Sequence, residues 1–153
     1  MNQFDLKNRT ALITGGAQGF GFDIAKKFLN SGANVIIWDI DEKELQNAVK
    51  KINNSKLSYN VVDVSNFEKI NQTVLEINKK TNIDILINNA GITGPTAELW
   101  NYSINDWNKV IEINLNGTFN CCKAIVPNMI ENNYGRIVNI ASVAGKDGNA
   151  SAS

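Results

Sequence analysis

Five short apolar runs alternate with longer stretches whose apolar residues recur every three or four positions, and that alternation restricts the fold more than any other feature of the chain. The first run is Thr10-Ala11-Leu12-Ile13. Beyond a glycine-rich turn, Ile24, Ala25, Phe28 and Leu29 fall at helical spacing, and Gly32 follows as a stop signal. Val35-Ile36-Ile37-Trp38 is the second run, and Leu45, Val49 and Ile52 mark one face of the next helix. Tyr59-Asn60-Val61-Val62 is a weaker third strand, followed by a stripe of Phe67, Ile70, Val74 and Ile77. Ile83-Asp84-Ile85-Leu86-Ile87 reads as the fourth strand. Ser103-Ile104-Asn105-Asp106 resembles a capping box opening a long helical region through Trp107, Val110, Ile111, Leu115, Phe119 and Cys122. Pro127 is expected to kink or end part of that region. Arg136-Ile137-Val138-Asn139-Ile140 is the fifth strand. Strands apolar on both faces and joined by helices need a parallel sheet covered on both sides. Right-handed crossovers then give a doubly wound α/β fold, with the strand order 3-2-1-4-5 expected. No linker interrupts the pattern, so residues 1–153 read as a single domain.

The turn after the first strand is Thr14-Gly15-Gly16-Ala17-Gln18-Gly19-Phe20-Gly21, a TGxxxGxG spacing rather than GxGxxG. Glycines where a strand hands over to a helix let backbone N–H groups approach a pyrophosphate, and the helix N-terminus adds free donors. Asp39 ends the second strand, 18 residues past Gly21. A carboxylate there can accept hydrogen bonds from both adenosine ribose hydroxyls and would repel a 2′-phosphate. Asp41 suits the N-cap of the helix that follows. No Arg or Lys lies within residues 15–21 or directly after Asp39, so NAD is expected in preference to NADP.

Composition removes several chemistries. The chain has no histidine, which excludes Ser-His-Asp or Cys-His nucleophiles, His-ligated metals and an imidazole base. Fifteen Lys and Arg balance 15 Asp and Glu, and this neutrality argues against a nucleic-acid partner. No apolar run approaches the roughly 20 residues that cross a bilayer, so no membrane partner is expected. Cys121 and Cys122 are adjacent, lack CxxC spacing and read as reduced thiols on a core helix. The polar start Met1-Asn2-Gln3-Phe4-Asp5 has no signal-peptide character, and a cytoplasmic location is expected.

Further motifs follow in order: Asp63-Val64 after the third strand, Asn88-Asn89-Ala90-Gly91 after the fourth, Asn114 in Ile113-Asn114-Leu115-Asn116-Gly117, and Ser142 after Asn139-Ile140-Ala141. Singly, each has a plain reading. Asp63 could cap the helix near Asn66, Asn88 and Asn89 could be turn residues, and Ser142 a loop serine. Asn114 is less ordinary, because an asparagine among Ile111, Ile113 and Leu115 costs helix propensity and needs polar partners. Together with the glycine turn, the set resembles the short-chain dehydrogenase/reductase family, similar to 3-oxoacyl-carrier-protein reductases and related alcohol or sugar dehydrogenases. The resemblance covers essentially the whole chain. It implies a Rossmann-like fold in which Gly15, Gln18, Gly19, Phe20 and Gly21 hold the cofactor pyrophosphate, Asp39 the ribose, and Asp63 and Val64 the adenine. Asn89, Ala90 and Gly91 complete the implied cofactor site. Asn114 and Ser142 are the implied catalytic residues, Asn114 distorting its helix and holding a relay water, with no metal involved.

The family's reaction transfers hydride between a nicotinamide and a carbonyl or secondary alcohol, with a tyrosine as proton donor and a lysine four residues later. The resemblance places that tyrosine 13 residues after the serine, at position 155, and the lysine at position 159. The sequence given ends at Ser153, and neither Tyr102 nor Tyr134 has a lysine four residues on. The chain is therefore expected to be the N-terminal part of a longer NAD(H)-dependent enzyme acting on a small alcohol or ketone. That enzyme is expected to be a homotetramer or homodimer. The C-terminal strands would be missing, the fifth strand left as an exposed apolar edge, and the chain inactive by itself. The alternative is a non-catalytic NAD-binding module.

Overall fold

The apolar runs fold into five parallel strands, β1 (Thr10–Thr14), β2 (Asn34–Asp39), β3 (Leu57–Val61), β4 (Ile85–Asn88) and β5 (Arg136–Asn139). They form one sheet in the order β3-β2-β1-β4-β5, the order expected from right-handed crossovers. This computed structural model describes residues 5–147. The stretch from Gly148 toward position 155, expected to lead to the tyrosine, lies outside the described residues. Helices α1 (Gly19–Asn30), α2 (Glu42–Ile52), α3 (Phe67–Asn78) and α5 (Gly117–Glu131) cover the sheet; α4 (Ile104–Ile111) has no buried residue, and a π turn, Glu112–Asn116, joins it to α5.

Register explains why the strands are apolar without interruption. Leu12 of β1 lies between Ile36 of β2 and Leu86 of β4, and Ile13 lies between Ile37 and Ile87. Successive side chains point to opposite faces. Ala11, Ile13, Val35, Ile37, Ile85 and Ile87 therefore pack on one side with Ala25 and Leu29 of α1 and Leu45 and Ala48 of α2. Leu12, Ile36, Trp38 and Leu86 pack on the other with Ile70 and Val74 of α3 and Cys121, Ile125 and Met129 of α5. Neither face of β1, β2 or β4 is available to water, which is why no polar alternation is seen in them.

Several local expectations shift. β3 starts two residues earlier than the run Tyr59–Val62, because Leu57 pairs with Val35 and is buried. β4 starts at Ile85; Ile83 is buried beneath the sheet without joining the ladder. Pro127 does not end its helix: α5 runs through it to Glu131, the ring costing one backbone donor. Asp41 caps α2 by accepting from the Glu44 N–H at 3.0 Å, as expected. Asn66, not Asp63, caps α3. Ser103 caps α4 through the Asp106 N–H. Cys121 is buried and Cys122 half-buried, both unpaired. Burial and the neighbouring Cys122 push the Cys121 thiol up to about 12, so it stays neutral in the core.

Candidate functional site

Because the strands are parallel, the turns that follow β1 to β4 all emerge at one end of the sheet, on both sides of the point where chain order reverses. There they enclose a cleft of about 360 Å³. Eight of the residues singled out from the sequence line it: Gly15, Gln18, Asp39, Asp63, Val64, Asn89, Ala90 and Gly91. Gly19, Phe20 and Gly21 form the first turn of α1 and do not line the cleft; the Phe20 ring is 80% exposed.

The glycine turn is held from behind by the turn after β4. The Thr14 hydroxyl accepts from the N–H groups of Asn89 and Ala90, each at 3.0 Å. The Asn89 amide donates to the carbonyls of Thr14 and Gly15, each at 3.0 Å. This packing leaves no room for a side chain at Gly15 or Gly21. Gly15 has φ +62°, and a Cβ on it would come 2.9 Å from the Ala90 Cα; a Cβ on Gly21 would overlap the Gly15 carbonyl oxygen. Gln18 stands at the N-cap of α1 but supplies no side-chain hydrogen bond, unlike Asp41, Asn66 and Ser103 on their helices. The opening N–H groups of α1 are therefore without a side-chain cap at the mouth of the cleft.

Asp39 is fixed by its surroundings. Its Oδ2 accepts from the Ala17 N–H at 3.2 Å, and its Oδ1 from Ile40 and Asp41 at 2.8 and 3.3 Å. The carboxylate thus ties the glycine turn to the end of β2. Asp63 accepts from the backbone and hydroxyl of Ser65 at 2.9 and 2.7 Å, a local turn rather than a helix cap.

Asn114 sits inside the π turn, so the helix is locally distorted at the residue where the family resemblance implied a distortion. Its side chain pairs reciprocally with the Ile92 peptide, accepting from the N–H at 2.9 Å and donating to the carbonyl at 2.8 Å. The wall running from Asn89 to Ile92 is thereby fixed to the helical layer. Ser142 lies apart from the cleft, exposed on the turn beyond β5, with its Oγ accepting from the Ala144 N–H at 3.1 Å. Asn88 is buried instead of facing the cleft: its amide donates to Asn139 Oδ1 at 2.8 Å and to Cys122 Sγ at 3.4 Å, pinning β4 to β5 and α5.

Four cleft residues went unmarked in the sequence: Ile40, Val62, Ile92 and Ile113. Ile40, Val62 and Ile92 each adjoin a marked motif, so their position after or before a strand-end polar residue was an available signal. Ile113 is brought to the cleft by the π turn, and only the folded chain shows it.

A family model described as short chain dehydrogenase matches residues 9–153. The 2-dehydro-3-deoxy-L-rhamnonate dehydrogenase (NAD(+)) of Sphingomonas sp. strain SKA58 is 40% identical over 149 residues, spanning 95% of this chain and 58% of that protein. The 3-oxoacyl-(acyl-carrier-protein) reductase of Thermotoga maritima is 39% identical over 147 residues, spanning 94% of this chain and 59% of its own. The solved structure of NAD+-bound xylitol dehydrogenase superposes with a TM-score of 0.92 at 31% identity, covering 97% of this chain and 58% of that one. The chain thus spans less than two thirds of the length of the curated relatives described here.

Proposed function

The chain belongs to the short-chain dehydrogenase family, and from that premise we propose that its cleft holds NAD(H) and that it is the cofactor-binding part of an oxidoreductase interconverting a secondary alcohol and a ketone. The observation that carries this reading is Asp39, a carboxylate facing the cleft, held by three backbone N–H groups, in a lining without Lys or Arg. Such a group accepts from two ribose hydroxyls and repels a 2′-phosphate. The names of two similar proteins, one an NAD(+) dehydrogenase and one NAD+-bound, agree with that preference.

The residues fit the group. The side-chain-free approach at Gly15 and Gly21 and the uncapped start of α1, with Gln18, Gly19 and Phe20, suit a pyrophosphate. Asp63 and Val64 would border the adenine, and Asn89, Ala90 and Gly91 the nicotinamide half. When bound, the nicotinamide supplies the hydride or takes it up. Ser142 would hydrogen-bond the substrate oxygen, and Asn114 keeps the Ile92 wall of the cleft in place. The tyrosine and lysine that complete the proton relay in the family have no counterpart within these residues. We therefore propose that a polypeptide of these 153 residues, read as one domain, binds the cofactor without turning over alcohols. The whole enzyme is proposed to be a cytoplasmic homodimer or homotetramer.

Fluorescence titration with NADH and NADPH tests the cofactor assignment. NADH is expected to bind at least about tenfold more tightly, a difference of about 1.4 kcal/mol. Equal affinities would remove the role given to Asp39. Clear rates with NAD and a panel of secondary alcohols would refute the inactivity of the 153-residue polypeptide.

A further inference from the structure

Both walls of the cleft are tied to one short stretch of helix, residues 112–120, although Ile113 alone of that stretch lines the cleft. On one side Asn114 clamps the Ile92 peptide. On the other, Asn120 in the first turn of α5 donates from its amide to the carbonyl oxygens of Val64 at 3.1 Å and Ser65 at 3.5 Å. Gly117 makes this reach possible: a Cβ there would come 2.7 Å from Val64 Cγ2, so α5 lies directly against the turn after β3. The start of that turn is anchored to the sheet by the Val62 N–H, which donates to the Asp39 carbonyl at 2.9 Å. The bonds from Asp63 to Ser65 set the shape of the turn but stay within it. Its far end is placed by Asn120.

We propose that Asn120 is a positioning residue for the adenine end of the cofactor: acting through the Val64 carbonyl, it sets where the Asp63–Val64 wall stands. This rests on the reading of the cleft as a dinucleotide site. The physical reason is that a turn ending a parallel strand must find partners for its own carbonyls. Without the Asn120 amide, the Val64 carbonyl turns to water and the wall relaxes away from a fixed spacing. Residues 112–120 therefore tie both sides of the cleft, each through its own bonds.

The test is a calorimetric titration of ADP-ribose and of NADH into the full chain and three variants. Asn120→Ala and Asn120→Leu remove the donor; the leucine keeps a branched side chain of four heavy atoms, so it reports even if the alanine variant does not fold. Thr73→Ala removes a buried hydroxyl that donates to the Lys69 carbonyl within α3, away from the cleft, and controls for general destabilisation. Loss of one such hydrogen bond is expected to raise the Kd for ADP-ribose about five- to tenfold in both Asn120 variants, with a matching rise for NADH. Thr73→Ala is expected to lower the melting temperature while leaving Kd within about twofold of the parent. Asn120 variants that lose thermal stability but keep the parent's Kd would overturn the positioning role and leave the cofactor reading standing. A parent chain that binds neither ligand would overturn the cofactor reading and this inference with it.

Discussion

The end of the sheet built by β1, β2 and β4 and the edge built by β5 solve opposite problems. In the first, every residue of β1 and β4 is buried, and the turns that follow are cross-tied through Thr14, Asn89 and Asp39. In the second, all four residues of β5 are exposed, with Ile137 and Val138 at 41% and 46%, and Ser142 stands on an open turn beyond them. The walls of the cleft are thus cross-tied by backbone and short polar side chains, around a lining that includes Ile40, Val62, Val64, Ile92 and Ile113. Among the described residues Ser142 is held only by local bonds, its Oγ accepting from the Ala144 N–H and its carbonyl from the Gly145 N–H, each at 3.1 Å. If the cleft holds the proposed cofactor, its cross-tied walls suit a ligand that needs fixed geometry.

Mutations can break this contrast. The largest effect is expected from Leu12→Ala, which opens a cavity between Ile36 and Leu86 and should cost about 3–4 kcal/mol in urea denaturation. Ile137→Ala on β5 should cost less than about 1 kcal/mol in the same measurement. Comparable losses would mean that β5 is as well packed as β1. Gly21→Ala drives a methyl group into the Gly15 carbonyl and toward the Asn89 amide. It should weaken NADH binding by roughly a hundredfold or more in a fluorescence titration, because the backbone cannot yield there. Asp39→Ala removes both the proposed ribose acceptor and the bond from Ala17, and an increase of about tenfold in the NADH Kd is expected, with NADPH no longer disfavoured. An unchanged preference would count against the role of Asp39.

The smallest effect concerns the core behind the cleft. The Cys121 thiol, pushed up to about 12 by burial and then by Cys122, ionises far more readily unfolded than folded. Its contribution is fully present below the ordinary thiol range near 9 and is lost as pH rises from there toward 12. Stability measured at pH 8 and at pH 10 should therefore fall less in Cys121→Ala than in the parent. An identical pH slope in both would show that the thiol is not the group responsible.

Much of the site was legible before the fold was known, for reasons visible in single residues. Asp41 and Ser103 announced helix starts because a short acceptor can satisfy a free N–H only there. Asn114 stood out as a polar residue in an apolar helical run, and it occupies the π turn. The role of Asn88 was not legible: it resembles its neighbour Asn89, yet it points into the sheet toward Asn139 and Cys122. Consecutive strand-end residues face opposite sides, and nothing local says which side is the cleft. Pro127 misled because a ring on a helix surface costs one donor without ending a helix that packing holds in place.

The βα alternation, the parallel sheet and the expected strand order were readable along the chain, since uninterrupted apolar runs, stripes of period 3.6 and the hand of crossovers are local properties. The sequence also determined where the polar residues at strand ends must gather, because parallel strands all finish at one end. That Asn114 and Asn120 bond to the two walls of one cleft from a single stretch of helix follows from the folded arrangement alone. The Asn114 bonds span 22 residues and the Asn120 bonds 55 and 56, so no pattern of neighbours along the chain could reveal which carbonyl each amide would meet.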